Sequence, residues 1–228
     1  FRVRAMAERT RARVVYYGLG EPSQVRASEV ESLGLEGVRF RLHAEGRSAV
    51  VKLRAPGEHN VHNALAAAAV GFALGLGWDE VVAGLTEATA SLRLAVVPGL
   101  NGSFVIDDTY NASPASVLAA LAVLAQLPGR RTAILGDMLE LGSYEEEGHR
   151  EVGRRAAEVL DGLVVVGKRA RWIADEARAH GLRDLSYAEA SGEVTYSPQT
   201  GEHILVKGSR SMHMEEIVAR LAAGGPKG

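Results

Sequence analysis

Four short runs in the second half of the chain are apolar almost throughout: residues 104–107 (FVID), 132–135 (TAIL), 163–166 (LVVV) and 204–206 (ILV). Stretches with helical apolar spacing come after them, at about residues 114–126, 145–160, 170–180 and 211–222. A strand that is apolar on both faces has to be covered on both faces, and helical crossovers between parallel strands supply that cover. From about residue 91 onward the chain therefore predicts an α/β fold, a doubly wound, mostly parallel sheet. The stretch 185–196 is ambiguous and holds one or two weak strands, and residues 224–228 read as a loose tail.

The first half has a different grammar. Residues 26–31, 38–43 and 49–53 alternate apolar and polar side chains, as half-buried antiparallel strands do. Ala44-Glu45-Gly46-Arg47 suits a hairpin turn between the last two. Residues 13–18 read as a strand ending at glycine, and residues 2–13 as a charged helix already under way. Helices are expected at about 60–74, where Val61, Leu65, Ala68 and Phe72 share a face, and at 79–88 with Val81, Val82 and Leu85. The chain thus divides into residues 1–90 and 91–228. Phe1 is not a translational start, so a piece or processed form of a longer protein is expected.

Bulk properties narrow the classes. A net charge of −2 gives no reason to expect a nucleic-acid backbone or an anionic membrane as partner. The apolar run 64–76 is too short to span a bilayer, and no signal peptide opens the chain, so cytoplasm is the expected location. There is no cysteine, which removes thiolate metal sites, disulfides and cysteine nucleophiles.

Ligands of an open parallel sheet sit beyond the carboxyl ends of its strands, so the residues just after each strand matter most. Asp107-Asp108 puts two carboxylates side by side, one suited to ribose hydroxyls and the other to capping a turn. Ser113-Pro114 reads as a helix N-cap with Pro in the first turn. Residues 136–142 (GDMLELG) read equally as an acidic ligand loop or as a strand–helix loop with a capping aspartate. Lys207-Gly208-Ser209-Arg210 sets two cations and a hydroxyl beside glycine at an expected helix start, a carboxylate or phosphate site. Residues 162–168 (GLVVVGK) imitate a phosphate-binding loop, but the hydroxyl residue is replaced by Arg169 and the middle is a buried strand, so that reading is rejected. In the first half, Asn60 can cap a helix. Asn63 has no capping duty and carries an amide able to read an adenine edge. His59 and His62 lack a third ligand in reach for zinc.

Together, residues 57–67 (GEHNVHNALAA), 106–114 (IDDTYNASP), 135–142 (LGDMLELG) with His149, and 206–210 (VKGSR) resemble the signatures of the Mur ligases, in matching order and spacing from Phe1 to about Leu221. The resemblance implies residues 1–90 as the back part of a central α/β ATP-binding domain containing antiparallel strands. Residues 91–228 would be a Rossmann-like C-terminal domain seating the incoming amino component, its mostly parallel sheet carrying helices on both faces. The implied reaction uses ATP and Mg2+ to phosphorylate the terminal carboxylate of a UDP-N-acetylmuramoyl tripeptide; the amine of D-alanyl-D-alanine then attacks the acyl phosphate, making a peptidoglycan precursor. The family's phosphate loop, its carbamylated lysine and its metal-binding glutamate and histidine would precede Phe1, so no metal ligand is expected here and this chain by itself is expected not to turn over. By position, Asn60 and Asn63 resemble nucleotide-contacting asparagines, Arg93 the catalytic hinge arginine that reaches the nucleotide, and Asp108 the ribose-binding aspartate. Tyr110, Asn111, Ser113, Lys207, Ser209 and Arg210 fall in the loops that seat the dipeptide, with Lys207 or Arg210 suited to its carboxylate. The partners implied are small molecules, and the whole enzyme is expected to be a monomer.

Two other readings stay open on the residues alone. One is a sister enzyme joining another amino acid to a carboxylate, of the diaminopimelate or folyl-glutamate kind. The other is a non-catalytic Rossmann-like module that binds a nucleotide or small peptide.

Overall fold

The computed structural model describes residues 5–88 and 94–224. The chain divides into two compact units, Phe1–Thr89 and Ala90–Gly228.

In the first unit, β1 (Tyr17–Gly18), β2 (Val25–Ser32), β3 (Val38–Ala44) and β4 (Arg47–Leu53) form one sheet in chain order. β1 runs parallel to β2, and the other pairs are antiparallel. Alternation along β3 buries Val38, Phe40, Leu42 and Ala44 and turns Arg39 and Arg41 outward, where they pair with Glu31 and Glu29 on β2. The β3–β4 turn places Glu45 and Gly46 at φ 52° and 73°, the two left-handed positions that a tight hairpin needs. Helices α1 (His59–Ala73) and α2 (Trp78–Glu87) close the core: Val61, Leu65, Ala68, Trp78, Val81 and Leu85 pack with the inward strand residues. The small Ala64, Ala68 and Ala69 let α1 lie close to the sheet. Met6, Tyr17, Leu19, Val70, Leu74 and Leu76 remain exposed on this unit.

The second unit holds a six-stranded sheet in the order β5 (Ala95–Pro98), β6 (Phe104–Asp107), β10 (His203–Lys207), β7 (Arg131–Gly136), β8 (Gly162–Val166), β9 (Leu185–Ala188). Every pair is parallel except β5–β6. Helices α3 (Pro114–Leu124), α4 (Glu145–Val159) and α5 (Arg171–Ala179) pack on one another as a single layer, as right-handed crossovers in one direction require. α6 (Glu215–Leu221) covers the opposite face with Met214, Ile217, Val218 and Leu221, against Val105, Ile134, Val164, Val166, Ile204 and Val206. The alternate strand positions Ile106, Ala133, Leu135, Leu163, Val165 and Leu205 are equally buried and by parity face the helical layer. No helix among the described residues is long and apolar enough to cross a membrane.

Several sequence expectations need correction. Residues 6–13 are not an α-helix: Met6–Arg9 is one 3-10 turn, and irregular chain comes after it. The strand expected at 13–18 shrinks to Tyr17–Gly18, the two residues in ladder register with Val25 and Arg26 of β2; Tyr16 O accepts from the Gln24 and Val25 amides just ahead of it. The helix expected from 211 starts only at Glu215. A 3-10 turn, Arg210–Met212, comes first, and His213 at φ 51° breaks the helical path. β5 was not apparent from sequence: its side chains are mostly exposed and it contains Pro98, which an edge strand tolerates. The ambiguous stretch 185–196 contributes one strand, β9, at the sheet edge.

At the amino-terminal edge of this sheet, Glu202 is fully buried. It accepts hydrogen bonds from Arg130 Nε (3.2 Å), Tyr196 OH (2.6 Å), the amide of Gln199 (2.8 Å) and the hydroxyl of Thr132. Burial and the Glu202 carboxylate together push the Tyr196 phenol above its usual range. Replacing Glu202 by alanine strands these donors inside the protein, which should cost about 2–4 kcal/mol. Urea denaturation of Glu202→Ala checks this, and an unchanged midpoint would remove the carboxylate from the account of stability.

Candidate functional site

The carboxyl ends of β6, β10, β7 and β8 are neighbours at one rim of the second unit. Pairing register sets which residues meet there. Asp107 lies opposite Val206, Lys207 opposite Leu135, and Gly136 opposite Val166. The Asp108 amide extends the ladder by donating to Val206 O at 3.1 Å. Asp108 and Lys207 therefore share the parity of Ile106 and Leu205 and point to the same face.

The two carboxylates after β6 divide their tasks. Asp107 is half-buried and accepts from the Thr109 amide (3.1 Å) and hydroxyl (2.7 Å), closing a local turn. Asp108 is 5% exposed, and its Oδ2 lies 2.7 Å from Lys207 Nζ. The same ammonium donates to Asn111 O at 2.7 Å. Two charges withdrawn from water have to satisfy each other, so this pair clamps the 108–111 loop onto the end of β10. Lys207 is 2% exposed. The sequence offered it to a substrate carboxylate, but its ammonium turns inward onto Asp108 and the backbone.

Beyond the clamp the loop surfaces again. Tyr110 and Asn111 are exposed, and the Asn111 carboxamide oxygen accepts from the Ala112 amide at 2.8 Å. Ser113 is exposed and caps α3, where the Ser113 and Ser116 hydroxyls satisfy each other's amides.

The other loops lock to this one. Gly136 and Gly208 approach so closely that a Cβ on Gly208 would lie 2.8 Å from Met214 Cγ and 3.2 Å from Gly136 Cα. The Ser209 amide donates to Asp137 O (3.0 Å), and the Ser209 hydroxyl accepts from the Leu139 amide (2.8 Å). Asp137 does not cap α4, the helix its own loop leads into, whose start has no side-chain cap. Its buried carboxylate accepts the Ala170 amide at 2.7 Å, at the start of α5, with Arg169 Nη1 3.8 Å away. Gly167, at φ 101°, is required beneath it, because a Cβ there would fall 2.6 Å from Asp137 Cγ. Arg210 is exposed, 3.7 Å from Glu215, and sits in a 3-10 turn rather than at an α-helix N-terminus. The rejected phosphate-loop imitation has its first five residues, Gly162–Val166, in β8, all of them buried, with Lys168 exposed beyond the strand.

His149 belongs to the sequence signature but was given no role. It is fully buried on α4, with Nε2 3.0 Å from the Met138 amide, Nδ1 2.7 Å from Glu145 O and its ring edge-on to Trp172. The signal that could have found it is its place inside the motif on an otherwise highly charged helix. Burial pulls its pKa below the ordinary 6.5, against the Glu145 carbonyl and the negative charges of Asp137 and Glu145.

In the first unit, α1 begins at His59, one residue before the expected start, so Asn60 lies inside the first turn and is not its cap. The Asn60 side-chain Nδ2 donates to Pro56 O (2.7 Å), and the Asn63 side-chain Nδ2 donates to Asn60 Oδ1 (3.0 Å). Asn60 is half-buried and Asn63 exposed. Arg93 lies outside the described residues. Among the described residues no group of three His, Asp or Glu side chains is placed to hold a metal ion.

Comparison with known proteins bears on both units. A model of the Mur ligase, glutamate ligase domain matches residues 92–210, and a model of the Mur ligase middle domain matches residues 2–71. The UDP-N-acetylmuramoyl-tripeptide–D-alanyl-D-alanine ligase of Escherichia coli K12 is 38% identical over 196 residues, covering 83% of this chain and 42% of its own length. Its Bacillus subtilis 168 counterpart is 34% identical over 214 residues, covering 90% and 46%. A crystal structure of MurF from Acinetobacter baumannii matches with a TM-score of 0.81 at 35% identity, over 96% of this chain and 48% of that one. The chain thus spans somewhat less than half the length of the curated relatives it matches.

The depressed pKa of His149 fixes the sign of a pH effect. Below pH 6.5 the unfolded chain takes up a proton that the folded chain refuses until lower pH. Stability is therefore fully present above about pH 6.5 and falls as pH drops toward the folded pKa. His203, likewise depressed by burial, adds the same slope. Urea midpoints measured from about pH 8 to about pH 5 should decline on the acid side, less steeply in His149→Gln; an equal slope in the variant would contradict this.

Proposed function

The chain belongs to the Mur ligase family, and on that premise we propose that it serves ATP-dependent peptide-bond formation, adding D-alanyl-D-alanine to a UDP-N-acetylmuramoyl tripeptide. The observation that carries the reading is the meeting of separate strand-end loops at one rim: Asp108 on Lys207, Lys207 on Asn111, and Ser209 on the Asp137–Leu139 turn. The Escherichia coli and Bacillus subtilis relatives bear the name of this dipeptide-adding ligase, which favours it over sister ligases and over a module that only binds.

In this reading the rim seats the incoming dipeptide. The exposed Arg210 guanidinium suits its carboxylate through paired N–H donors. The Ser209 hydroxyl, on a residue only 5% exposed, and the exposed Asn111 carboxamide and Tyr110 phenol are the groups proposed to orient the amine by hydrogen bonds, together with the exposed Ser113. Lys207 acts indirectly, by holding Asp108 and Asn111 in place. Asp108 is proposed to share its carboxylate between Lys207 and a ribose hydroxyl. For the first unit, Asn60 and Asn63 are proposed as nucleotide contacts on their residue chemistry, with Asn63 the adenine reader. Arg93 is proposed as the catalytic arginine that reaches the nucleotide. ATP supplies the phosphoryl group that turns a carboxylate into an acyl phosphate. No described cluster fits the Mg2+ implied by the resemblance, and no step is assigned through it.

The full-length protein, given ATP, UDP-N-acetylmuramoyl tripeptide and D-alanyl-D-alanine, should release ADP in a dipeptide-dependent manner. Release indifferent to the dipeptide would defeat the assignment. Because Arg210 and Asn63 are both exposed, their variants should keep the fold. Arg210→Ala should raise the KM for the dipeptide about tenfold with the KM for ATP unchanged, and Asn63→Ala should do the reverse. Steady-state kinetics with each substrate varied separates the two.

A further inference from the structure

His149 has no part in the proposed reaction, yet its ring bonds directly to a loop of the rim. A backbone amide can only donate, so the Nε2 that meets Met138 N at 3.0 Å is an acceptor. The ring proton therefore sits on Nδ1 and donates to Glu145 O at 2.7 Å. Edge contact with Trp172, centroids 5.8 Å apart, fixes the ring plane. The ionisable groups around the imidazole are Glu145 on its own helix, Asp137 on the rim loop, and Arg169 before α5, whose Nε lies 2.8 Å from Glu145 Oε2.

The next amide along the loop, Leu139 N–H, donates to the Ser209 hydroxyl oxygen, and the Ser209 amide donates back to Asp137 O. One short turn, residues 137–139, is thus held by His149 on one side and holds Ser209 on the other. Because Leu139 occupies an acceptor position of the hydroxyl, the hydroxyl proton must point elsewhere. An apolar side chain in place of the imidazole would leave the Met138 amide buried without an acceptor, and the turn would have to shift to satisfy it. Packing alone would not need that acceptor.

We propose that His149 is a positioning residue of the dipeptide site: as a neutral imidazole protonated at Nδ1, it anchors the Met138 amide and so fixes the 137–139 turn that aims the Ser209 hydroxyl at the incoming amino component. This rests on the reading of the rim as the dipeptide site.

Two variants of the full-length protein test it. In His149→Gln the side-chain oxygen can take the place of Nε2 and accept from Met138. In His149→Asn the shorter amide can take the place of Nδ1 and donate to Glu145 O, but leaves Met138 without an acceptor. Amide hydrogen exchange at residues 137–139 and 209, read without substrate, should show faster exchange at Met138 and Leu139 in the asparagine variant and near-normal protection in the glutamine variant. In ADP-release kinetics, His149→Asn should raise the KM for D-alanyl-D-alanine about tenfold or more and leave the KM for ATP within about twofold, with His149→Gln recovering most of the loss. Equal behaviour of the two variants, or equal damage to both KM values, would overturn the proposal by reducing His149 to a packing residue. Wild-type enzyme lacking dipeptide-dependent release would instead overturn the functional reading beneath it, a failure distinguishable because the exchange pattern needs no turnover.

Discussion

The rim of the second unit depends on a buried ion pair. Asp108 and Lys207 are 5% and 2% exposed, with 2.7 Å between Oδ2 and Nζ. Neither charge is tolerable alone at that depth, and the attraction between them must offset the desolvation of both. The register of β6 and β10 allows the pair, because Asp108 comes directly after the Asp107–Val206 pairing and so lies opposite Lys207. The pair in turn decides the loop: the ammonium also donates to Asn111 O and, at 3.4 Å, to Asp108 O, so the chain from Asp108 to Asn111 is tied down and the exposed Tyr110 and Asn111 side chains stand on a fixed base.

Sheet topology makes this useful. β10 enters between β6 and β7 after the chain has run outward through β8 and β9, and its helix α6 covers the face opposite α3, α4 and α5. Helices departing to opposite faces leave the strand ends between them open to ligands. The mutual contact of Gly136 and Gly208 lets the β7 and β10 loops touch at backbone distance, so Ser209 and the 137–139 turn can exchange hydrogen bonds. His149 and Asp137 then brace that turn from α4 and toward α5. A chain of short polar contacts thus runs from the helical layer to the rim.

Much of this was legible in the sequence. The apolar runs at 104–107, 132–135, 163–166 and 204–206 are strands in the structure, because a strand buried on both faces has little other composition open to it. The hairpin at 44–47 was legible because Gly46 marks a left-handed position. The clustering of polar loops at one rim came from parallel topology. The features that escaped the sequence depend on contacts between distant residues. Asp137 accepts the amide of Ala170, thirty-three positions later and just ahead of α5, and no local pattern announces that. Lys207 looked available to a ligand, although its parity with Leu205 already pointed it to the helical layer. β5 owes its existence to pairing with β6 and not to its own pattern. His213 adopts a left-handed conformation that delays α6, and the helical spacing of its neighbours concealed it.

The central claim is that Asp108 and Lys207 act as one unit. A double-mutant cycle on stability measures this directly, using Asp108→Asn, Lys207→Met and the combined variant in urea. Each single change leaves the other group buried without its ionic partner and should cost about 3–5 kcal/mol, while the double change should cost clearly less than the sum, with a coupling energy of about 2 kcal/mol or more. Single effects that add to within about 0.5 kcal/mol would contradict the account.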